Sequence, residues 1–473
     1  MTNDNINGST VSGGNGHIGS SKPPEHHHFG FISRFLESEK KDSAILFWSF
    51  IVGSLAGLAG AVFQIVVSII FRWRVHLGLS MGEHSLGSLV IQTTISAVMV
   101  FVAFILVRKI ATEASGSGVQ EIEGALDGVR PARWKRVLPV KFFSGILALG
   151  GGMVLGREGP TIQMGGNIGK MIGDLFKISK NGTNTLIAAG AGAGLSAAFN
   201  SPLAGILFVI EEMRPQFKYN FLSVQSVLIA SAMADIVLRA LTSQSPVISM
   251  PILEAPPLSS LWLFLVFGAI FGVLGVVFNY LLVKTLDFFS NLKGWSYKLT
   301  GLYVGALIGI AAWIYPYVVG GGYRVIPDAI HGNFGLIALV VLFIARFGTT
   351  MISYGSGSPG GIFAPMLALG TLFGMFFGTI THGLLPDLIS RPEIFAVAGM
   401  AALFCATVRA PLTGITLAIE MTGNYWLILP LLLTCMTATL VAQGLGGKPI
   451  YTVLLKRTLN IQKAFTKQTQ QQN

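Results

Sequence analysis

The chain has 473 residues, of which 52 % are hydrophobic and 11 % are charged. An ordinary soluble domain carries roughly 25 % charged residues, so this composition excludes a water-soluble globular protein and predicts a protein embedded in lipid. The formal net charge of +11 does not indicate nucleic-acid binding, because the basic residues cluster in short loops beside apolar runs. Such loops face the cytoplasm in membrane proteins, and they predict that both termini are cytoplasmic.

The apolar runs, taken in chain order, predict several membrane spans. Residues 1–42 are polar, rich in Gly, Ser and Asn, and lack the apolar core of a signal peptide, so we expect a cytoplasmic tail before a retained first span. The run at 142–156 is too short to cross a bilayer, and short or broken apolar segments are typical of transporters with discontinuous helices. Uncharged runs longer than the ~20 residues that a bilayer core requires occur at 43–71, 85–107, 303–322, 347–386 and 421–447.

An internal repeat divides the chain into two halves. The segments FNSPLAGILFVIEEM (199–213) and VRAPLTGITLAIEMT (408–422) share a Pro-Leu-x-Gly-Ile pattern and a later Ile-Glu pair. Pro202 and Pro411 are 209 positions apart, and each follows a glycine by 12 residues. We call these matching prolines and glycines landmarks. Landmarks that recur in the same order at a nearly constant separation along the chain predict two homologous halves.

A second pair of landmarks lies earlier in each half. Pro160 and Pro365 are each followed by glycines at the fifth and ninth positions. We therefore predict an all-α polytopic membrane protein whose two repeats form one intertwined unit, and by analogy with transporters we expect the repeats to be inverted, with the substrate site at their interface. The predicted segments are an N-terminal tail (1–42), a first repeat (43–240), a linker (241–256), a second repeat (257–451) and a cytoplasmic C-terminal tail (452–473).

Four irregular, glycine-rich segments interrupt the apolar sequence. They are GSG (116–118), GREGP (156–160), GSGSPGGIFAP (355–365) and GLGGKPIY (444–451). Irregular backbone is tolerated at membrane depth only where it is buried in protein or lines a cavity. Each of the first three segments leads into a predicted helix, and several helix N-termini that converge can bind an anion without a full cation. The alternative is that these glycines serve only close helix packing.

Several carboxylates lie in or beside the apolar runs. Glu158, inside GREGP, is a candidate gate and proton carrier, because an ionisable residue in a membrane segment is a functional candidate; the alternative is a plain partner of a helix dipole. Arg157 either pairs with a carboxylate or orients backbone. Glu211, the counterpart of Glu420 in the repeat, is interpreted as a helix-end charge, whereas Glu212 is either such a charge or a residue that passes protons toward Glu158.

Two hydroxyls and two further charges complete the candidates. Ser117 and Tyr451 lie next to irregular turns, where each hydroxyl either donates to an anion or bonds to a backbone carbonyl. Glu123 and Lys141 are interpreted as a structural ion pair near the membrane boundary.

An enzyme or a metal site has little support in the sequence. The spans contain no His–Glu metal motif, nucleophile–base pair or phosphate-binding loop, so we expect neither an enzyme nor a cofactor. Cys405 and Cys435 lie in apolar stretches and are expected to be buried small hydrophobes rather than part of a disulfide framework or a metal site.

The motifs as a set resemble those of the CLC family of chloride channels and chloride/proton exchangers. The matching segments are GSGVQ (116–120), GREGP (156–160) and GGIFAP (360–365), together with the late Tyr451. The resemblance runs from about Ala44 to Leu459 and is strongest to bacterial exchangers of enterobacterial type. It implies a homodimer in the bacterial inner membrane, with an inverted repeat and one pathway per subunit.

The resemblance also implies an anion site. In it the hydroxyls of Ser117 and Tyr451 and the backbone N–H groups of Ile362 and Phe363 bind the central chloride. Ser117, in place of the proline of nitrate-selective relatives, favours chloride. The family usually has proline where this chain has Gln120, and because proline suits the first turn of a helix, the glutamine is expected to loosen the turn while the site survives.

The resemblance further implies a proton route. Glu158 corresponds to the gating glutamate, Glu212 corresponds to the internal proton-transfer glutamate, and the backbone of Gly156, Arg157 and Gly159 belongs to the outer anion path. We therefore predict a proton-coupled chloride antiporter. The alternative is a passive chloride channel on the same fold, and the presence of Glu212 favours the antiporter.

Overall fold

The computed structural model describes residues 27–82, 84–213 and 220–472. Within these ranges the regular structure is helical, apart from one isolated bridge between two glycines. Residues 1–26 of the predicted N-terminal tail lie outside the described part. The described helices are α1 (His27–Ser80), α2 (Leu86–Ile110), α3 (Val119–Leu126), α4 (Trp134–Gly150), α5 (Glu158–Leu175), α6 (Lys180–Phe199), α7 (Pro202–Glu211), α8 (Phe221–Leu241), α9 (Leu261–Ser290), α10 (Gly294–Lys298), α11 (Thr300–Ile314), α12 (Val325–Ile330), α13 (Leu336–Gly355), α14 (Phe363–Leu384), α15 (Glu393–Val408), α16 (Pro411–Thr422), α17 (Ile428–Gly444) and α18 (Ile450–Gln472).

Long apolar helices make this a multi-pass membrane protein. Their outward faces carry large apolar side chains such as Ile337 and Phe221, which are 82 % and 79 % exposed. Such exposure suits lipid, where apolar surface has no need to be buried. In the described part of the chain, seven segments are long and apolar enough to cross a membrane: Ser43–Gly78, Leu86–Ile110, Phe221–Leu241, Leu258–Ser290, Leu336–Gly355, Phe363–Leu384 and Tyr425–Gly444.

Two of the predicted spans are not continuous helices. The run at 347–386 contains the end of α13 at Gly355 and the start of α14 at Phe363. Gly357, between them, has φ of +77°, which an α-helix cannot continue. The run at 303–322 is likewise interrupted, because α11 ends at Ile314 and the next residue precedes a proline, which disfavours helical backbone.

The repeat seen in the sequence recurs in the order of helices and in their packing. Helices α3 to α8 correspond to α12 to α17. A Cβ atom added to Gly165 on α5 would lie 2.0 Å from the carbonyl oxygen of Gly190 on α6, and one added to Gly370 on α14 would lie 2.1 Å from that of Gly399 on α15. The landmark glycines therefore contact each other within each half and permit the same close helix crossing.

The two halves are inverted relative to each other. Glu211, the last residue of α7, accepts hydrogen bonds from the first turn of α16, and Glu420, near the end of α16, accepts from the first turn of α7. Contacts of this reciprocal kind require antiparallel helices. Because α7 and α16 are equivalent in the repeat, their antiparallel arrangement confirms the expected inversion.

The repeats are not separable domains. The described residues from Ile45 onward form one compact unit, and the described residues before it belong to another unit and are helical. The predicted C-terminal tail is also helical, as part of α18.

Candidate functional site

Three of the glycine-rich segments meet at one point inside the protein. The N–H of Gly156 donates to the carbonyl of Gly361 at 2.8 Å, and the N–H of Gly361 donates to the carbonyl of Gly156 at 2.7 Å. The N–H of Gly360 donates to the carbonyl of Gly116 at 3.0 Å. Backbone hydrogen bonds thus join segments more than 200 residues apart, and they bring both halves to the same place.

The helices after these segments begin at this junction. Helix α3 begins at Val119, α5 at Glu158 and α14 at Phe363, so each break leads into a helix as predicted. The first N–H groups of a helix have no partner within it and carry a partial positive charge. With Gln120 in its first turn, α3 still begins directly after Gly118, so the glutamine does not prevent entry into this helix.

Glu158 is completely buried at the junction. Its Oε1 accepts a hydrogen bond from the N–H of Phe363 at 2.8 Å and a longer one from the N–H of Ala364 at 3.4 Å. The carboxylate is therefore bound to the N-terminus of α14, in the opposite half of the chain. Oε2 has no hydrogen-bond partner among the described residues.

Two hydroxyl groups at the same junction have no protein partner. Ser117 and Tyr451 are both 0 % exposed, and neither hydroxyl oxygen is hydrogen-bonded within the described part of the chain. The phenol of Tyr451 lies close to the hydroxyl of Ser117, and its ring lies 5.8 Å from that of Phe363 between centroids. Buried polar groups normally have partners, so this pair marks a place where a ligand can accept hydrogen bonds.

Close backbone approach shapes the space beside these hydroxyls. A Cβ atom added to Gly159 would lie 2.6 Å from Ser117 Oγ, so only glycine allows α5 to begin there. Ile362, at the N-cap of α14, is also completely buried. The structure thus brings together the predicted anion-binding residues Ser117, Ile362, Phe363 and Tyr451.

Lys141 supports the loop that carries Ser117. Its ammonium group is completely buried and donates to the carbonyls of Ala114 at 3.0 Å and Gly116 at 2.7 Å. The predicted ion pair between Lys141 and Glu123 is wrong. The loop before α3 has a positive φ at Gly116 and Gly118 and leaves carbonyls without helical partners, and these attract the lysine instead.

Arg157 orients backbone, one of its two predicted roles. Its Nε donates to the carbonyl of Ala198 at 2.8 Å, and its guanidinium lies over the ring of Tyr323 at 4.3 Å from the centroid. Arg157 lines two cavities of about 730 and 330 Å³. No Asp or Glu lines the larger one among the described residues, whereas three further arginines do so: Arg72, Arg324 and Arg346. The lining of this cavity beside Arg157 is therefore positively charged.

Glu212 lies directly after α7 and contacts the carboxyl group of Glu123, for which the sequence predicted a different partner. The side chains of Glu212 and Glu123 are within hydrogen-bonding reach of each other. Two carboxyl groups form a hydrogen bond only when one of them is protonated. Glu123 follows the GSGVQ motif by only three residues, and this spacing was the available signal that it lies near the site.

The two cysteines are free thiols inside the protein. Cys405 and Cys435 are free and buried, as expected. Within the described ranges, no group of three or more His, Cys, Asp or Glu side chains is arranged to hold a metal ion.

The chain matches a protein family described as voltage gated chloride channel over residues 98–443. It is similar to the H(+)/Cl(-) exchange transporter ClcA of Vibrio parahaemolyticus, with 51 % identity over 436 residues, 91 % of this chain and 93 % of that protein. The transporter of the same name from Salmonella agona is 50 % identical over 437 residues, 92 % of each chain. The crystal structure of a slow cyanobacterial Cl−/H+ antiporter has a TM-score of 0.86 and 45 % identity, and the match covers 89 % of this chain and 99 % of that one.

Proposed function

Because the chain belongs to the voltage gated chloride channel family, or CLC family, we propose that it exchanges chloride for protons across a bacterial inner membrane. Relatives about half identical to it are named as H(+)/Cl(-) exchange transporters. The main observation behind the proposal is that the buried carboxylate of Glu158 accepts a hydrogen bond from the N-terminus of α14. A carboxylate at this point occupies the place that an anion would take.

The chloride site consists of helix N–H groups and hydroxyls rather than full cations. The N–H groups of Ile362 and Phe363 face it from α14, and the partnerless hydroxyls of Ser117 and Tyr451 donate to the ion. Partial charges suit transport, because a site must release its cargo as well as bind it.

Glu158 and chloride compete for the same N–H groups. The ionised carboxylate holds them and closes the path. When Glu158 takes up a proton its attraction to the helix N-terminus falls, so the side chain leaves and chloride replaces it. A single residue thereby links anion movement to proton movement.

Glu212 delivers protons from the cytoplasmic side. The contact between the carboxyl groups of Glu212 and Glu123 supports this role, because two carboxyl groups within hydrogen-bonding reach can share a proton. The proposal includes cytoplasmic termini and, as the resemblance implies, a homodimer in which each subunit has its own site.

The test is proton transport by purified protein in liposomes under an imposed chloride gradient, with wild type beside Glu212→Gln. We expect wild type to move protons uphill and the variant to carry chloride alone, because an amide cannot transfer a proton. Loss of a positioned proton-transfer group typically slows such a step by about 10²–10⁴-fold. Glu254→Gln, a change at an exposed glutamate of the linker, is the matched control and should transport like wild type.

The outcomes separate the antiporter from the passive channel. If wild type moves chloride but no protons, the protein is a channel or uniporter. If Glu212→Gln pumps protons as well as wild type does, Glu212 is only a helix-end charge.

Replacing Tyr451 with phenylalanine should weaken chloride binding without removing the aromatic ring. The lost hydrogen bond to a charged partner corresponds to about 1.5–3 kcal/mol, or roughly 10- to 150-fold in affinity. Isothermal titration with chloride measures it, with Tyr425→Phe, a change at a residue that is 63 % exposed, as the control. An unchanged affinity would remove Tyr451 from the anion site.

A further inference from the structure

Helices α7 and α16 begin without a capping side chain of their own. Their N-cap residues, Ser201 and Ala410, make no side-chain capping bond. The first helical residue of each is a proline, Pro202 or Pro411, which has no N–H. Each helix therefore presents two free N–H donors, at its second and third residues.

A glutamate from the opposite half accepts both donors. The Glu420 clamp consists of Glu420 Oε1 and Oε2, which accept from the N–H groups of Leu203 at 3.1 Å and Ala204 at 2.9 Å. The Glu211 clamp consists of Glu211 Oε1 and Oε2, which accept from the N–H groups of Leu412 at 2.9 Å and Thr413 at 2.6 Å. These charge-assisted bonds are stronger than bonds between neutral groups.

The two clamps differ in strength. Glu211 Oε2 also accepts from the hydroxyl of Thr413 at 2.7 Å, whereas the equivalent residue at the start of α7 is Ala204. Arg239 lies near Glu420 but is paired with Asp235 at 2.7 Å. The start of α7 thus depends on two bonds to one carboxylate.

The two helices also differ at their C-terminal ends. Glu212 comes directly after α7, whereas the equivalent residue of α16 is the apolar Met421. Only α7 therefore carries a carboxyl group at this position. Glu212 follows Ala204 by eight positions, about 12 Å along a helix at 1.5 Å per residue.

Helix α7 packs closely against α6 next to the Glu420 clamp. A Cβ atom added to Gly205 would lie 2.1 Å from Ser196 Oγ and 2.5 Å from the carbonyl oxygen of Gly192 on α6. The far end of α7 is held by the Glu211 clamp on α16. With the Glu420 clamp released, only one of the two clamps remains on α7, so the start of the helix can move while its end stays bound. The helix then turns about Glu211, which changes the orientation of the next residue, Glu212, toward Glu123.

We propose that Glu420 is a positioning residue for proton transfer, acting on Glu212 through α7. Its carboxylate bonds the start of α7 and not Glu212 itself. This inference rests on the proposed function, in which Glu212 passes protons.

The experiment measures proton and chloride fluxes in liposomes for wild type, Glu212→Gln, Glu420→Gln and Thr413→Ala. In Glu420→Gln the amide side chain retains one acceptor but turns an NH₂ group toward an N–H donor. We expect proton flux to fall by roughly 10- to 100-fold, since misplacing a reacting group by about 1 Å can cost about 100-fold, while chloride flux stays within about twofold of wild type. Thr413→Ala removes the hydroxyl bond to Glu211 but keeps the two backbone bonds of this clamp, so Glu211 stays in place and the melting temperature should fall without a change in the ratio of protons to chloride.

The variants distinguish a failure of the proposed function from a failure of the inference about Glu420. If Glu212→Gln keeps its proton coupling, the proposed function fails whatever Glu420 does. If Glu212→Gln loses coupling while Glu420→Gln keeps the wild-type ratio, or changes it no more than Thr413→Ala does, Glu420 is only structural and the inference is overturned. Should Glu420→Gln not purify as a folded protein, Glu420→Asp, which keeps the charge and shortens the reach, replaces it under the same criteria.

Discussion

Replacing Glu158 with glutamine is expected to abolish proton transport while chloride still crosses. The amide oxygen can accept from the N–H of Phe363 as Glu158 does at 2.8 Å, so the geometry of the junction is retained. An amide neither carries a proton nor competes with chloride as a charge. Proton flux should fall by roughly 100-fold or more, the low end of what a positioned proton-transfer group contributes, as measured by uphill proton movement in liposomes.

A second first-turn glutamate provides the control for this change. Glu393 begins α15 and pairs with Arg391 at 3.3 Å, away from the junction. Glu393→Gln should leave proton coupling unchanged. If Glu158→Gln still pumps protons and only the melting temperature falls, Glu158 is a plain dipole partner of a helix, and the proposed gating mechanism is wrong.

Replacing Gly361 with alanine should weaken chloride binding. The added Cβ atom would lie 2.2 Å from Glu158 Oε1 and 2.8 Å from the backbone nitrogen of Gly159. The carboxylate can move, but the backbone of Gly159 is fixed by its neighbours, so the methyl group fills space that the gate and the anion use. Overpacking of this kind costs about 1–3 kcal/mol, or roughly 5- to 150-fold in chloride affinity by titration calorimetry.

Gly348 is the matched glycine for this test. It lies in the membrane helix α13, and an added Cβ atom meets nothing within 4 Å. Gly348→Ala should bind chloride with wild-type affinity. Equal affinities for Gly361→Ala and Gly348→Ala would mean that chloride does not occupy the space between Gly361 and Glu158.

Local pattern was sufficient to predict where irregular backbone leads into the helices at the candidate site. The breaks at Gly116–Gly118 and Gly156–Pro160 are irregular backbone in apolar sequence, which at membrane depth must line a cavity or be buried. That requirement indicated converging helix N-termini from the sequence alone. The structure places Ser117, Phe363 and Tyr451 at one junction, and their roles in transport remain predictions until the fluxes are measured.

The sequence was less informative about which distant groups pair. Lys141 was expected to pair with Glu123, yet it binds two backbone carbonyls, because the carbonyls at a loop with positive φ have no helical partners. Glu123 faces Glu212 instead. A charge pattern along the chain does not indicate which side chain or backbone group a folded loop will bring closest.

By itself, therefore, the sequence determined that this protein lies in a membrane, that its chain contains an internal repeat, and where its helices break. These three features can be read from the composition, from the spacing between matching motifs and from the glycine content of short segments. Only the tertiary structure decided that α7 and α16 run antiparallel and that Glu211 and Glu420 each bind the other's helix. The physical reason is that such pairing depends on the direction and spacing of packed helices. These are set by contacts such as Gly165 with Gly190 and Gly370 with Gly399, and no short stretch of sequence encodes them.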